Sequence, residues 1–386
     1  MNTSLLQRIP DTEVIFGKDA LSHLSGLLNS RRSVRTAVFT GRHSADSSGN
    51  FGRMASCCGS AVSGLYRFRD IPAEPDLDTV HAMTRFLEEV RPDTVIALGG
   101  GSVMDAAKAA YIGFQSGLPA ETFFGSGEVS KRFPGKKWDR VICIPTTAGT
   151  GSEVTLYSNI VDRNKGVKKL LSDEAVIPEF ALVDPVLTES LPPAETLATA
   201  CDALSHLLEG FLNAGQDNRF PPAEEFAVEG VKLICGALPR YQEARADLAM
   251  ASTLGGAVIR WKSTGLPHLA SFSWFGRIPH GIAAALLLPA AWRYYLGNPA
   301  VADKTMQLAS VFPGATPEEV IRSFRKFLDS AGVPAGLKAY PLITEEILAK
   351  TAQSAGENPM KLALAPRPVP LERAPEILAG ILAETR

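Results

Sequence analysis

Apolar and polar positions follow two alternating periods along the first half of the chain. Thr12 to Phe16 reads as a strand and Ala20 to Leu28 as a helix. Val34 to Thr40 is an apolar strand ending at Gly41, followed by a Ser/Gly-rich turn. Leu65 to Phe68 is a further strand candidate. Asp76 to Val90 places Leu77, Val80, Met83, Leu87 and Val90 at helical spacing. Val95-Ile96-Ala97-Leu98 is short and continuously apolar, as expected of a parallel strand covered on both faces, and Val141 to Ile144 repeats the pattern. Between them, Ser102 to Ile112 reads as helix. This alternation predicts an open parallel α/β sheet. Beyond Asp184-Pro185 the pattern changes: Pro192-Pro193 breaks the chain, and the remainder reads almost entirely as helix. The expected division is an α/β domain over residues 1–190 and an all-helical domain over 191–386.

Composition narrows the function classes. The 386 residues are 45% hydrophobic and 21% charged, with a formal net charge of −2. That gives no basic excess for a nucleic-acid partner. Cys57, Cys58, Cys143, Cys201 and Cys235 have neither disulfide-framework nor zinc-ribbon spacing, which favours a reducing cytoplasm. The N-terminal stretch lacks a signal-peptide apolar core. The longest apolar run, Ile282 to Trp292, is far short of a membrane span and reads as a buried helix.

Gly99-Gly100-Gly101-Ser102 follows one predicted strand and opens a helix. Glycines let a backbone approach a phosphate closely, and the helix N-terminus offers free N–H groups. Ser102 is placed to cap that helix and Asp105 to sit in its first turn. The bland alternative is a tight turn with no ligand. The G-x-G-x-x-G fingerprint is absent, so a standard Rossmann assignment is not supported. Pro145-Thr146-Thr147-Ala148-Gly149-Thr150-Gly151-Ser152-Glu153 follows the strand at 141–144. Two polar loops at the carboxyl ends of two strands mark the edge where open α/β sheets bind ligands.

The chain has six histidines. Asp202 and His206 share a helix face, with Leu204, Leu207, Leu208, Phe211 and Leu212 opposite. Periodicity alone assigns that pair to a solvated face; a metal reading needs the face to look into a cleft. His268 and His280 follow, the latter between Pro279 and Gly281. One carboxylate and three imidazoles suit Fe²⁺ or Zn²⁺. Arg260 and Lys262 flank Trp261; they read either as surface cations or as recognition of an anionic substrate group.

Together these pieces resemble the iron-containing, group III alcohol dehydrogenase family. The carrying segments are Gly99 to Lys108, Pro145 to Thr155, Val183-Asp184-Pro185, Cys201 to His206, and Ile278 to Gly281. The resemblance implies a dehydroquinate synthase-like fold, a Rossmann-like parallel-sheet domain followed by an all-helical domain. It implies Asp202, His206, His268 and His280 as metal ligands and catalytic centre. It implies that Gly99, Gly100, Gly101 and Ser102 hold a pyrophosphate, with Asp105, Thr146, Thr147, Thr150 and Lys168 lining the rest of the NAD(H) or NADP(H) site. Two departures stand out. Phe272 occupies a position where the family usually has a further histidine, and the His268–His280 segment is about two residues shorter than the family pattern. An aromatic near that place resembles branches that reduce phosphonate- or sulfonate-bearing aldehydes, with phosphonoacetaldehyde as a candidate substrate. At the end of the second strand, Thr40-Gly41-Arg42 offers no carboxylate to repel a 2′-phosphate, which leans toward NADPH or dual use. Rival readings are a dehydroquinate synthase-type lyase, a maleylacetate reductase-like enzyme and a catalytically degenerate nucleotide binder. A homodimer or larger even homo-oligomer is implied by the resemblance alone.

Overall fold

The computed structural model describes residues 2–163, 166–213 and 219–386. The chain divides into two compact units, Met1–Leu191 and Pro192–Arg386.

In the first unit, six strands form one parallel sheet: β1 (Glu13–Phe16), β2 (Arg35–Gly41), β3 (Gly64–Ile71), β4 (Thr94–Gly99), β6 (Ile142–Pro145) and β9 (Phe180–Val183). Their order is β1-β9-β6-β4-β2-β3. Side chains alternate across a pleated strand, so successive residues serve opposite cores. Val95 and Ala97 of β4 pack with Ala37, Phe39 and Cys143 beneath α3 (Leu77–Val90) and α4 (Gly101–Ser116). Ile96 and Leu98 pack on the other side with Val38, Ile142, Ile144 and Leu182, against α1 (Leu24–Ser30) and α2 (Asn50–Cys58). Both faces are therefore covered, which is why these strands read as continuous apolar runs.

A second sheet of three strands has the order β5-β8-β7, with β5 at Gly125–Ser126, β7 at Tyr157–Asp162 and β8 at Val167–Ser172. β7 and β8 pair antiparallel from Tyr157↔Ser172 to Asp162↔Val167. Hydropathy does not reveal it, because Asn159, Lys168 and Lys169 interrupt any apolar run. One expected cap is also corrected. The glycine-rich helix starts at Gly101 with Gly100 as its N-cap, and the Ser102 hydroxyl donates to the Ala73 carbonyl instead of capping.

The second unit is helical throughout its described residues: α5 (Pro193–Leu212), α6 (Ala223–Ala237), α7 (Arg245–Trp261), α8 (Leu266–Ser271), α9 (His280–Tyr295), α10 (Pro299–Gln307), α11 (Pro317–Ser330), α12 (Glu345–Gly356), α13 (Pro359–Ala363) and α14 (Ala374–Glu384). α5 is its axis, packed by α6, α7 and α9. Every residue of α5 from Ala200 to Leu212 is buried. Asp202 and His206 thus lie inside the unit, at 5% and 6% exposure, not on the solvated face that periodicity assigns. The run at 282–292 is buried within α9, and no described helix is long and apolar enough to cross a membrane.

Candidate metal centre and dinucleotide loops

Four side chains converge in the second unit, with Asp202, His206 and His268 buried and His280 part-exposed. Asp202 Oδ1 lies 3.7 Å from His206 Nε2, 3.4 Å from His268 Nε2 and 3.6 Å from His280 Nε2. Asp202, His206 and His268 each present a ligand atom within 4.8 Å of the others, and all three are buried. Asp202 and His206 come from one face of α5, His268 from the short α8, and His280 is the first residue of α9. The imidazoles of His206 and His268 stack at 4.6 Å between centroids, and His280 meets His268 edge-on at 5.2 Å.

The mutual distances of Asp202, His206 and His268 fit a divalent ion, and His280 Nε2 adds a further donor on the Asp202 side. A tetrahedral site with bonds of about 2.0–2.1 Å has ligand-to-ligand edges of roughly 3.4 Å. Asp202 Oδ1 and His268 Nε2 are buried but outside hydrogen-bond geometry with each other, and such atoms are costly to leave unpaired. Burial alone would raise the Asp202 pKa; the surrounding imidazoles outweigh it and hold the carboxyl well below the usual carboxylate range. Burial alone would lower the His268 pKa, yet the carboxylates of Glu209 and Asp202 hold it up at about 9. The pocket is built for positive charge.

Supporting contacts orient these groups. Glu209, fully buried one turn beyond His206, accepts the Nδ1–H of His268 and, at 2.6 Å, the Gly265 N–H. Once a metal displaces the Nε2 proton, this carboxylate–imidazole pairing would keep the remaining proton on Nδ1 and leave the Nε2 lone pair to the metal. Ser271 Oγ donates to the His268 carbonyl at 2.9 Å and meets His280 Nδ1 at 3.3 Å. Phe272 lies flat against His280, 5.4 Å between centroids. Sequence reasoning missed Glu209. Its signal was a lone acid inside Leu207-Leu208-Glu209-Gly210-Phe211, seven residues after Asp202 and hence on nearly the same helix face. Arg260 and Lys262 are buried at the end of α7, with the Arg260 guanidinium over the Trp261 ring at 5.1 Å.

In the first unit the two polar loops meet. Gly99 of β4 pairs with Pro145 of β6, and the Thr146 N–H donates to the Gly99 carbonyl at 3.0 Å. A Cβ added at Gly100 would stand 3.1 Å from Thr147 Oγ1, and one at Gly101 would stand 2.6 Å from Thr150 Cγ2. The threonine loop is therefore folded against the glycine turn, whose first helical N–H groups have no intrahelical acceptor. That is a fitting cradle for a pyrophosphate. Asp105 faces inward from α4; its carboxylate accepts from Ser152 Oγ at 2.6 Å and the Asn159 N–H at 2.9 Å. Lys108, given no role by the sequence, is 1% exposed and donates to Ser152, Thr155 and Tyr157 oxygens at 2.6–3.2 Å. Lys168 pairs with Glu74 at 2.7 Å. At the end of β2, Gly41 lies beside Ser44, while Arg67 donates to Thr40 Oγ1 and pairs with Asp46.

A parallel-sheet unit with a glycine–threonine nucleotide cradle, followed by a helical unit with an Asp/His cluster, defines a class of metal- and dinucleotide-linked proteins. The sequence description of iron-containing alcohol dehydrogenases matches residues 11–185, and that family's C-terminal description matches 196–381. The chain belongs to the iron-containing alcohol dehydrogenase family. It is 35% identical over 255 residues to 1-propanol dehydrogenase of Salmonella typhimurium, covering 63% of this chain and 62% of that one. It is 36% identical over 246 residues to aldehyde-alcohol dehydrogenase 2 of Entamoeba histolytica, spanning 27% of that longer protein. An alcohol dehydrogenase of Thermococcus barophilus is 27% identical over 87% of both chains. Among solved structures, the iron-containing alcohol dehydrogenase of Thermotoga maritima superposes with a TM-score of 0.81 at 28% identity, covering 97% of this chain and 98% of that one. Sulfoacetaldehyde reductase of Bifidobacterium kashiwanohense, in complex with NAD⁺, gives a TM-score of 0.81 at 26% identity over 97% of each.

Proposed function

We propose that this protein is a metal-dependent, NAD(P)(H)-linked alcohol dehydrogenase that interconverts a short aldehyde and its alcohol. The observation that carries this reading is the convergence of His206, His268 and His280 Nε2 on Asp202 Oδ1 at 3.4–3.7 Å. Those four residues would hold Fe²⁺ or Zn²⁺, whose N/O ligand preferences both match the set. When bound, the ion supplies Lewis-acid stabilisation of charge on a carbonyl oxygen and the nicotinamide supplies hydride. The chain's own part is orientation. Glu209 fixes the His268 tautomer, Ser271 braces His280, and Phe272 walls His280 with an apolar ring that carries no proton. Gly99, Gly100, Gly101 and Ser102 offer backbone to a pyrophosphate, with Thr146, Thr147 and Thr150 folded over it. Asp105 acts from behind, by holding Ser152.

The candidate substrate is an anionic short aldehyde such as phosphonoacetaldehyde. Its support is Phe272 and the likeness to the sulfoacetaldehyde reductase. Arg42 just beyond the β2 terminus supports NADPH alongside NADH. The family likeness supports an even homo-oligomer, which light scattering would count.

The test is metal removal followed by add-back of Fe²⁺ or Zn²⁺, with NADPH and NADH oxidation followed on a panel of neutral and anionic aldehydes. Metal-restored turnover is expected, and His206→Ala should lose it together with bound metal. Activity and metal both retained in that variant would sink the ligand assignment. Binding of metal and nucleotide without net nucleotide oxidation would favour a lyase or a degenerate binder.

A further inference from the structure

The residues around His268 are themselves clamped by groups far along the chain. The segment Ser263-Thr264-Gly265 leads directly into α8, so its position sets where His268 begins its helix. Glu209 holds the Gly265 N–H at 2.6 Å, and the Tyr295 hydroxyl accepts the Leu266 N–H at 2.7 Å. Asn213, at the end of α5, donates to the carbonyls of Ser263 and Leu364, both at 3.0 Å. The remaining hold comes from α13. Lys361 Nζ donates to Ser263 Oγ at 2.8 Å, Thr264 Oγ1 at 3.0 Å and the Thr264 carbonyl at 3.3 Å. An ammonium has three N–H bonds, so all three are spent on this one dipeptide, and Lys361 is a brace with no donor left for substrate.

The brace is also electrostatic. Burial pulls the Lys361 pKa down to about 8, and Glu209 opposes that shift. Glu209 is in turn bonded to His268. A cation thus sits behind the carboxylate that orients a candidate ligand, an arrangement that tempers how strongly that carboxylate draws on the imidazole proton.

We propose that Lys361 is a positioning residue of the metal centre: it holds Ser263 and Thr264 so that His268 Nε2 stays in register with Asp202 Oδ1. This rests on the metal-site reading above. It makes the short helix Pro359–Ala363, outside every motif that marks the family in this sequence, part of the site's support.

The test reads metal binding directly. Metal-stripped wild type, Lys361→Met, Lys361→Arg and Thr264→Val are titrated with Co²⁺, following its visible ligand-field bands and competition with a chelator. Lys361→Met should weaken Co²⁺ binding by about 10–100-fold and alter the band intensities. Lys361→Arg should recover most of the affinity, because it restores a cation and donors. Thr264→Val removes one acceptor and should show a smaller loss with the same spectral change. NADH affinity, read by fluorescence, should be unchanged in all variants. Wild-type Co²⁺ affinity and spectrum in Lys361→Met would overturn the proposal; if that variant does not fold, an unchanged Thr264→Val overturns it. Failure of the wild type itself to bind Co²⁺ would overturn the function reading and this inference together.

Discussion

Glu209 and His268 share a hydrogen bond in the fully buried floor of the helical unit, although one sits on α5 and the other on α8. The Glu209 carboxylate accepts twice, from His268 Nδ1–H and from Gly265 N–H. A glutamine there has one acceptor oxygen and one donor group, so a donor must face a donor. Glu209→Gln should therefore fold but bind Fe²⁺ or Zn²⁺ about 10–100-fold more weakly, with catalytic loss in proportion. Metal titration of the stripped variant checks this, and wild-type affinity would remove Glu209 from the site.

Gly281 follows His280 directly and allows α9 to approach α5. A Cβ there would stand 2.5 Å from Asp202 N and 2.7 Å from Asp202 Cβ. The neighbour is backbone and cannot swing aside. Gly281→Ala should cost roughly 3 kcal/mol or more, at the upper end for overpacking. It should also separate His280 from Asp202. The expected result is a lower melting temperature together with lost metal, whereas a change in only one would mean the two helices adjust independently.

Lys108 is the buried counterpart of Asp105 in the first unit. It holds Ser152, Thr155 and Tyr157 through side-chain and carbonyl oxygens. Removing one member of such a buried set leaves the others unpaired and costs roughly 3–5 kcal/mol. Lys108→Met should lower stability by that order in denaturant unfolding. Because Ser152 ends the threonine loop, nucleotide affinity should fall as well. Metal affinity should not, since the Asp/His cluster belongs to the other unit.

Asp76 caps α3 through Thr79 and pairs with Arg163. Burial alone would raise its pKa; the hydrogen bonds from Arg163 and Thr79 outweigh this and bring it from 3.8 down to about 2. A carboxylate depressed on folding stabilises fully above its unfolded pKa and loses that stability as pH falls through the folded value. The cap, of about 1 kcal/mol, should persist at pH 6 and fade between about pH 4 and 2. The stability gap between wild type and Asp76→Ala should close over that window in urea titrations. A gap independent of pH would show that the capping species is not the ionised carboxylate.

Legibility differed between elements for physical reasons. β4 and β6 announced themselves because strands covered on both faces need continuous apolar sequence. The β7–β8 hairpin did not, because a partly exposed sheet tolerates Asn159, Lys168 and Lys169. Periodicity alone assigns the face of Asp202 and His206 to solvent for a related reason. Helical periodicity measures contrast between faces, and α5 is buried on all sides from Ala200 to Leu212, so its polar residues there do not mark solvent.

The sequence by itself determined the alternation of strand and helix, the break near Pro192-Pro193, the two polar loops after β4 and β6, and the kinds of donor available for a metal. Those features depend on local pattern and residue chemistry. Only the tertiary structure decided that His268 and His280 meet Asp202 at one oxygen, that Glu209 lies behind His268, and that Lys361 braces the approach to it. These relationships join residues far apart in the chain through hydrogen bonds and close helix contacts, which no local periodicity encodes.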